Sequence, residues 1–351
     1  MLRDVETADY PAAQDWIYAH GLNDGFPVVP PTADLVDAMI AAGGRDRDQI
    51  VGRIQGRPNG LSVEQAAVCS VMAGALPAYF PVILATWEAI FEPAFNAMAV
   101  LGSSAGTALT TVVSGPYAAK IGMNGAHNLL GPGNRANATL GRAVRLGVMN
   151  ALGYRSGGLD GAALGSQARY TAHFAEGEPP PGWRPLNVRL GRPAEVTTVT
   201  VAVTDAPRQL QHIRTGKAEN VIRMLAASMR DPTHCASGQH SCYFFVLGPE
   251  HAELLAENGW SEDDVCKALA ERSRMGPEEL QAAGVPLDGD YLIVGEGRHL
   301  SLGSDGRLES TTPDSIYLVP TGGSGAGWSQ VIYGYAPSRV TRPVTKEVLV
   351  P

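Results

Sequence analysis

Two long stretches of the chain, residues 66–87 and 93–119, carry no charge at all. Whatever fold forms must bury most of both. A membrane span needs about 20 mostly apolar residues. Here Ser70, Gly74, Pro77, Pro81 and Thr86 interrupt the first stretch, and Asn96, Ser103, Ser104 and Thr107 the second. Small and polar residues at that density suit segments buried in a large soluble core. The 351 residues, 44% of them hydrophobic, can supply one. At about 100–200 residues per domain, that length predicts two domains or one large one. The net charge of −8 disfavours nucleic acid and membrane surfaces as partners, because both reward clustered Lys and Arg. Four cysteines are too few for a disulfide scaffold. No apolar run follows Met1, so a cytoplasmic protein is expected.

Strand and helix signals alternate along the chain. Helices are predicted over 11–20, 33–42, 62–76, 78–91, 135–152, 216–229, 249–257 and 261–273. Strands are predicted over 49–54, 107–113, 196–203, 243–247, 291–294 and 316–319. This alternation argues an α/β fold, two α/β halves with mixed sheets packed into one compact unit. Pro179-Pro180-Pro181, Pro185 and Pro193 mark residues 179–194 as a linker between domains at 1–178 and 195–351. Cys69 and Cys266 fall in apolar helical patterns and read as core thiols.

The segment from Gly122 to Asn137 holds four glycines, several amides, one imidazole and one guanidinium, and it leads into a helix. Glycines let a backbone approach a ligand closely. The free N–H groups of a helix start favour an anion. Arg135 is expected to hold a carboxylate or phosphate, Asn124, Asn128 and Asn137 to orient the substrate, and His127 to move a proton. The competing reading is a structural turn in which the Asn side chains cap backbone. The spacing is neither a P-loop nor a dinucleotide fingerprint, and no standard cofactor motif is visible.

Asp24-Gly25-Phe26-Pro27-Val28-Val29-Pro30-Pro31-Thr32 resembles the opening signature of an uncharacterised bacterial family. So do Met72-Ala73-Gly74 with Pro77, Tyr79 and Pro81-Val82, the stretch Asn124–Asn137, Gly248-Pro249-Glu250-His251-Ala252 with Gly259-Trp260-Ser261, and the closing Gly322-Gly323 and Thr341-Arg342-Pro343-Val344. The resemblance covers nearly the whole chain. Members resemble companions of UGSC-type selenoproteins, which implies thiol or reductive chemistry without a defined reaction. This chain departs from the pattern at His127 and between His234 and Cys242.

That second departure packs His234, Cys235, His240 and Cys242 into nine residues. Adjacent His234 and Cys235 point apart, a poor start for one metal ion. Cys235 and Cys242 are spaced more widely than a CxxC pair, yet two thiols on a flexible loop could still do redox work. The plain alternative makes Cys242 the first core residue of the following strand. Glu176 and Glu178 are close enough for one to raise the other's pKa, which makes Glu176 a candidate base. Gly322-Gly323-Ser324-Gly325-Ala326-Gly327-Trp328-Ser329 could form an anion nest or oxyanion hole after a strand, with Ser324 and Ser329 as substrate-binding residues and candidate nucleophiles, although no GxSxG elbow is present; the plain alternative is a tight glycine loop between strands. His251, in a first helical turn, reads as structural.

The expectation is an enzyme that binds a small polar anion between the two halves and uses general acid/base chemistry. Two alternatives stand beside it: a thiol oxidoreductase using Cys235 and Cys242, and a non-catalytic binding subunit of a partner enzyme. No metal is assigned and no cofactor is indicated. Self-association into a homo-oligomer is compatible with the composition.

Overall fold

A computed structural model describes residues 5–58, 60–212, 216–231, 240–284, 301–302, 305–309, 311–335 and 341–351. The fold is α/β. Its helices are α1 (Tyr10–Ala19), α2 (Ala33–Gly43), α3 (Val63–Met72), α4 (Phe80–Phe91), α5 (Ala97–Leu101), α6 (Pro116–Lys120), α7 (Arg135–Asn150), α8 (Leu186–Arg189), α9 (Ala218–Ser228), α10 (Pro249–Glu257), α11 (Glu262–Arg272) and α12 (Pro277–Ala282). Strands β1 (Ile50–Arg53) and β2 (Gly60–Ser62) form a small hairpin, as do β8 (Ser301–Leu302) and β9 (Leu308–Glu309). The main sheet contains β3 (Ala108–Ser114), β4 (His173–Ala175), β5 (Thr198–Thr204), β6 (Arg208–Gln211), β7 (His240–Leu247), β10 (Ile316–Pro320), β11 (Trp328–Tyr335) and β12 (Val344–Glu347).

The order in that sheet is β10-β7-β11-β5-β3-β4, with β12 beside β5 and β6 beside β11. It is mixed: β3/β4 and β7/β10 are parallel, and the other pairs antiparallel. The alternation of side chains divides its residues cleanly. Tyr243, Phe245 and Leu247 of β7 pack with α9, α10 and α11, whereas Cys242, Phe244 and Val246 face the other way. On β5, Val199, Val201 and Val203 pack with α2, α3, α4 and α7, while Ala202 belongs to the opposite cluster. That opposite cluster also holds Phe174 of β4 and Val319 of β10, the two edge strands. Both edges can reach one cluster only if the sheet curls. They meet at a corner, where Gly177 N–H donates to the Pro320 carbonyl at 3.0 Å and Thr321 Oγ1 to that of Ala175 at 3.1 Å.

The concave face is filled by Leu129 from the 122–134 loop and by Leu186 of α8. The proline-rich segment is therefore part of the core. Trp183, Leu186 and Asn187 are buried, and the Asn187 side chain donates to the Val196 carbonyl at 2.8 Å. The expected division at 179–194 does not separate two sheets, since β3 and β5, on either side of it, pair over seven residues.

The uncharged stretches become α3, α4, α5 and β3, and no helix among the described residues is long and apolar enough to cross a membrane. Ser62 and Gln65 close a reciprocal capping box at the start of α3. Thr32 precedes α2 without a side-chain hydrogen bond. Cys69 and Cys266 are buried, and burial pushes their thiols up to about 12 and about 11. The strand expected over 291–294 lies outside the described residues.

Candidate functional site

The loop before α7 is held by its own amides. Asn134 caps the helix, accepting from Asn137 N–H at 3.0 Å and donating to the Gly122 carbonyl at 2.8 Å. Buried Asn137 accepts from Asn124 N–H at 2.9 Å and donates to the carbonyls of Asn124 and Leu129 at 3.0 and 3.3 Å. Asn124 accepts from Ala126 N–H and donates to the His127 carbonyl, both at 2.9 Å. Asn128, in left-handed backbone conformation, donates to the Pro132 carbonyl at 2.7 Å. Asn124, Asn128 and Asn137 were expected to orient a substrate; each instead shapes the loop. A loop without strand or helix ladders must find partners for its peptide groups elsewhere, and these side chains supply them.

The two glycine-rich loops meet, although about 190 residues separate them in the chain. Gly322 N–H donates to the Gly125 carbonyl at 3.1 Å, and Thr321 Oγ1 donates to the same oxygen at 2.9 Å. The His127 ring lies directly against Gly323: a Cβ there would sit 2.0 Å from His127 Nδ1. His127 is exposed, and its ring makes no hydrogen bond among the described residues. Ser324 is exposed beside it in sequence. The expected anion nest is partly occupied by the protein itself, because Gly325 N–H donates to the Glu250 carboxylate.

Ser329 is not at this surface. It is buried on β11, where its Oγ lies 2.7 Å from His251 Nδ1 and accepts from Gly248 N–H at 3.2 Å. His251 Nε2 is 3.3 Å from the His212 carbonyl, which puts the ring proton there and makes Nδ1 the acceptor of the serine hydrogen. Burial lowers the His251 pKa. The pair ties α10 to β11 and takes Ser329 away from the loop junction.

Arg135 begins α7, is exposed, and donates from Nε to the Gly74 carbonyl at 2.9 Å. Its two terminal nitrogens make no hydrogen bond among the described residues, so a planar fork remains available at the helix start. About two turns of helix further on, Arg142 grips Asp24 bidentately at 2.8 and 2.8 Å and reaches the Pro27 carbonyl at 2.8 Å. Val29 N–H donates to the Met72 carbonyl at 3.1 Å. Residues 24–32, 72–74 and 122–137, which carry the sequence signatures, are thus joined through α7.

Glu176 contributes to the loop junction by its backbone, but its side chain turns to α8. Both carboxylate oxygens accept from Leu186 N–H at 2.9 Å, and Ser114 Oγ donates to Oε2. Burial pushes its pKa up to about 7 against the opposing pull of Ser114, the Leu186 N–H and Arg189. Glu178, its supposed partner, is exposed, so Glu176 owes its shift to burial and not to a second carboxylate. His173, three residues earlier, is buried with Nε2 2.9 Å from Thr111 Oγ1 and Nδ1 without a partner, and burial lowers it to about 3.

The thiol pair receives no support from Cys242, which is buried in the concave cluster; a Cβ on Gly334 would sit 2.1 Å from its sulfur. An accessible thiolate, which redox work requires, is therefore not available at that position. His234 and Cys235 lie outside the described residues, and only the backbone of His240 is described. Among the described residues no group of three His, Cys, Asp or Glu side chains is placed to hold a metal ion. Comparison with known proteins found no family model that matches the chain and no match among curated proteins.

Proposed function

We propose that the protein is an enzyme acting on a small organic anion at the junction of the 122–137 and 321–327 loops, with His127 as the proton carrier and Arg135 as the anion anchor. The observation that carries this reading is the unengaged His127 imidazole seated on Gly323, at a junction built by hydrogen bonds from both loops. Every asparagine around it serves the loop framework, whereas the imidazole, the Arg135 fork and the exposed Ser324 hydroxyl have capacity to spare among the described residues. An imidazole can both accept and donate a proton, which suits proton transfer to or from a bound substrate. A guanidinium at a helix start suits a carboxylate or phosphate. Glu176 is a positioning residue in this scheme: its carboxylate fixes α8, which fills the sheet beneath the loop.

The test is turnover of a panel of small carboxylates and phosphate esters, followed by NMR, with wild type, His127→Ala and Arg135→Ala. His127→Ala is expected to lose roughly 10²–10⁴ in rate. Arg135→Ala is expected to abolish binding, with Arg135→Lys a poor rescue, because lysine lacks the planar fork. Binding of panel members without turnover by any preparation would replace the enzyme with a binding subunit. Full activity in His127→Ala would remove the imidazole from the mechanism.

A further inference from the structure

Away from the loop junction, a cavity of about 520 Å³ opens between the C-terminal half of α7 and the 164–170 segment. Its wall includes Arg145, Arg169, Asn23, Gln167, Tyr170 and Met149. The volume falls in the range of small-molecule sites. Arg145 and Arg169 converge on one carboxylate, Asp160, whose Oδ2 accepts from Arg145 Nη2 at 2.8 Å and from Arg169 Nη2 at 2.6 Å. The other Asp160 oxygen accepts from Ala162 N–H at 3.2 Å. The Asp160 side chain is almost fully buried, and the two arginine side chains are mostly so. The nearby Asp24 has both oxygens on Arg142.

Charge around the cavity therefore does not balance. Among the described residues, Arg142, Arg145 and Arg169 stand there against Asp24 and Asp160, in a chain whose overall net charge is −8. Each of the two converging guanidiniums gives one terminal nitrogen to Asp160 and retains further N–H groups. The Arg169 Nε is buried with no hydrogen-bond partner. Desolvation and the proximity of Arg169 both lower the Arg145 pKa, against the pull of Asp160. A buried cation in excess is costly unless a counter-charge arrives.

We propose that this cavity is a binding site for a small organic anion, held by Arg145 and Arg169 through a carboxylate or phosphate head, with its body against Met149 and Leu164. Ser166, Gln167 and Asn23 supply polar groups at the same wall. The site is separate from the loop junction. Arg145 lies ten residues beyond Arg135 on the same helix, about 15 Å along its axis. It therefore does not depend on the proposed activity.

The test is calorimetric titration of the full chain with sodium phosphate and with sodium butyrate, at constant ionic strength set by chloride. Saturable binding of at least one probe that persists in Arg135→Ala is expected, and the stronger probe identifies the head group. Arg169→Gln is expected to weaken that binding about tenfold or more, as loss of a charge-assisted hydrogen bond does. Leu164 is 99% exposed at the rim, so substitution there leaves the core untouched. Leu164→Glu is expected to weaken binding relative to Leu164→Gln, which keeps the proposal open to test even if Arg169→Gln fails to fold. Arg135→Ala should leave this binding within twofold, separating it from the loop junction. No saturable heat with either probe, unchanged affinity in folded Arg169→Gln, or equal affinities in the two Leu164 variants would overturn the proposal.

Discussion

Glu176 and His173 lie three residues apart, and burial moves their proton affinities in opposite directions. Glu176 keeps its proton to about pH 7 in the folded chain, against an ordinary carboxyl value of 4.5. Between those values the folded state binds more protons than the unfolded one, so this group's contribution falls as pH rises from about 4.5 to 7. His173 drops from 6.5 to about 3. Between those values the unfolded state binds more protons, so its contribution is lost as pH falls from about 6.5 to 3. The urea midpoint of wild type minus that of Glu176→Gln is therefore expected to decline between about pH 4.5 and 7 and then level off. A difference that rises over that window would contradict the burial of the carboxyl. The residue types at the loop junction are legible in the sequence; their division of labour is not. Asn124, Asn128 and Asn137 look the same on paper whether they meet a ligand or a peptide group. Only the three-dimensional course of the loop shows that they serve the latter.

At the level of elements, local punctuation decides what can be read. Helix α10 is predicted to the residue, because Pro249 opens it and Gly259 follows its end. Strand β4 is three residues long and has no alternation to detect. The proline-rich segment reads as a linker because its burial comes from β-strand contacts distant in sequence, which no local signal reports. The packing of α7 on α4 offers a test of the element scale. Replacing a mid-helix glycine by alanine ordinarily stabilises by about 1 kcal/mol. At Gly147 the added methyl would lie 2.4 Å from Cζ2 of fully buried Trp87. Overpacking of this kind costs about 1–3 kcal/mol. Gly147→Ala is expected to lower the urea midpoint, and a raised midpoint would show that α4 and α7 are not packed in this way.

For the whole molecule, the alternation of strands and helices is enough to give the α/β class, but not the way one sheet runs through both halves. Strand β3 has β5 as its long antiparallel partner, and the concave face needs side chains from β4, β7, β10 and β11 together. Residues 1–178 alone would expose the β5-facing edge of β3 and leave Val112, Leu129 and Phe174 without the rest of that cluster. The fragment is expected to aggregate or remain without dispersed amide signals in an ¹H–¹⁵N spectrum. A well-dispersed, monomeric 1–178 would instead establish the division that the prolines suggest. Full-length protein is expected to unfold with coincident transitions by fluorescence and circular dichroism.

The central claim is that His127 moves a proton on an anion held by Arg135. The most direct measurement is the imidazole ¹H–¹³C resonance of His127, assigned by its loss in His127→Gln, while small organic acids are added one at a time. Any acid the protein turns over is expected to shift this resonance saturably, and Arg135→Ala is expected to abolish the shift. An acid that is turned over at the wild-type rate by His127→Gln, and that leaves the resonance unmoved in wild type, would contradict it.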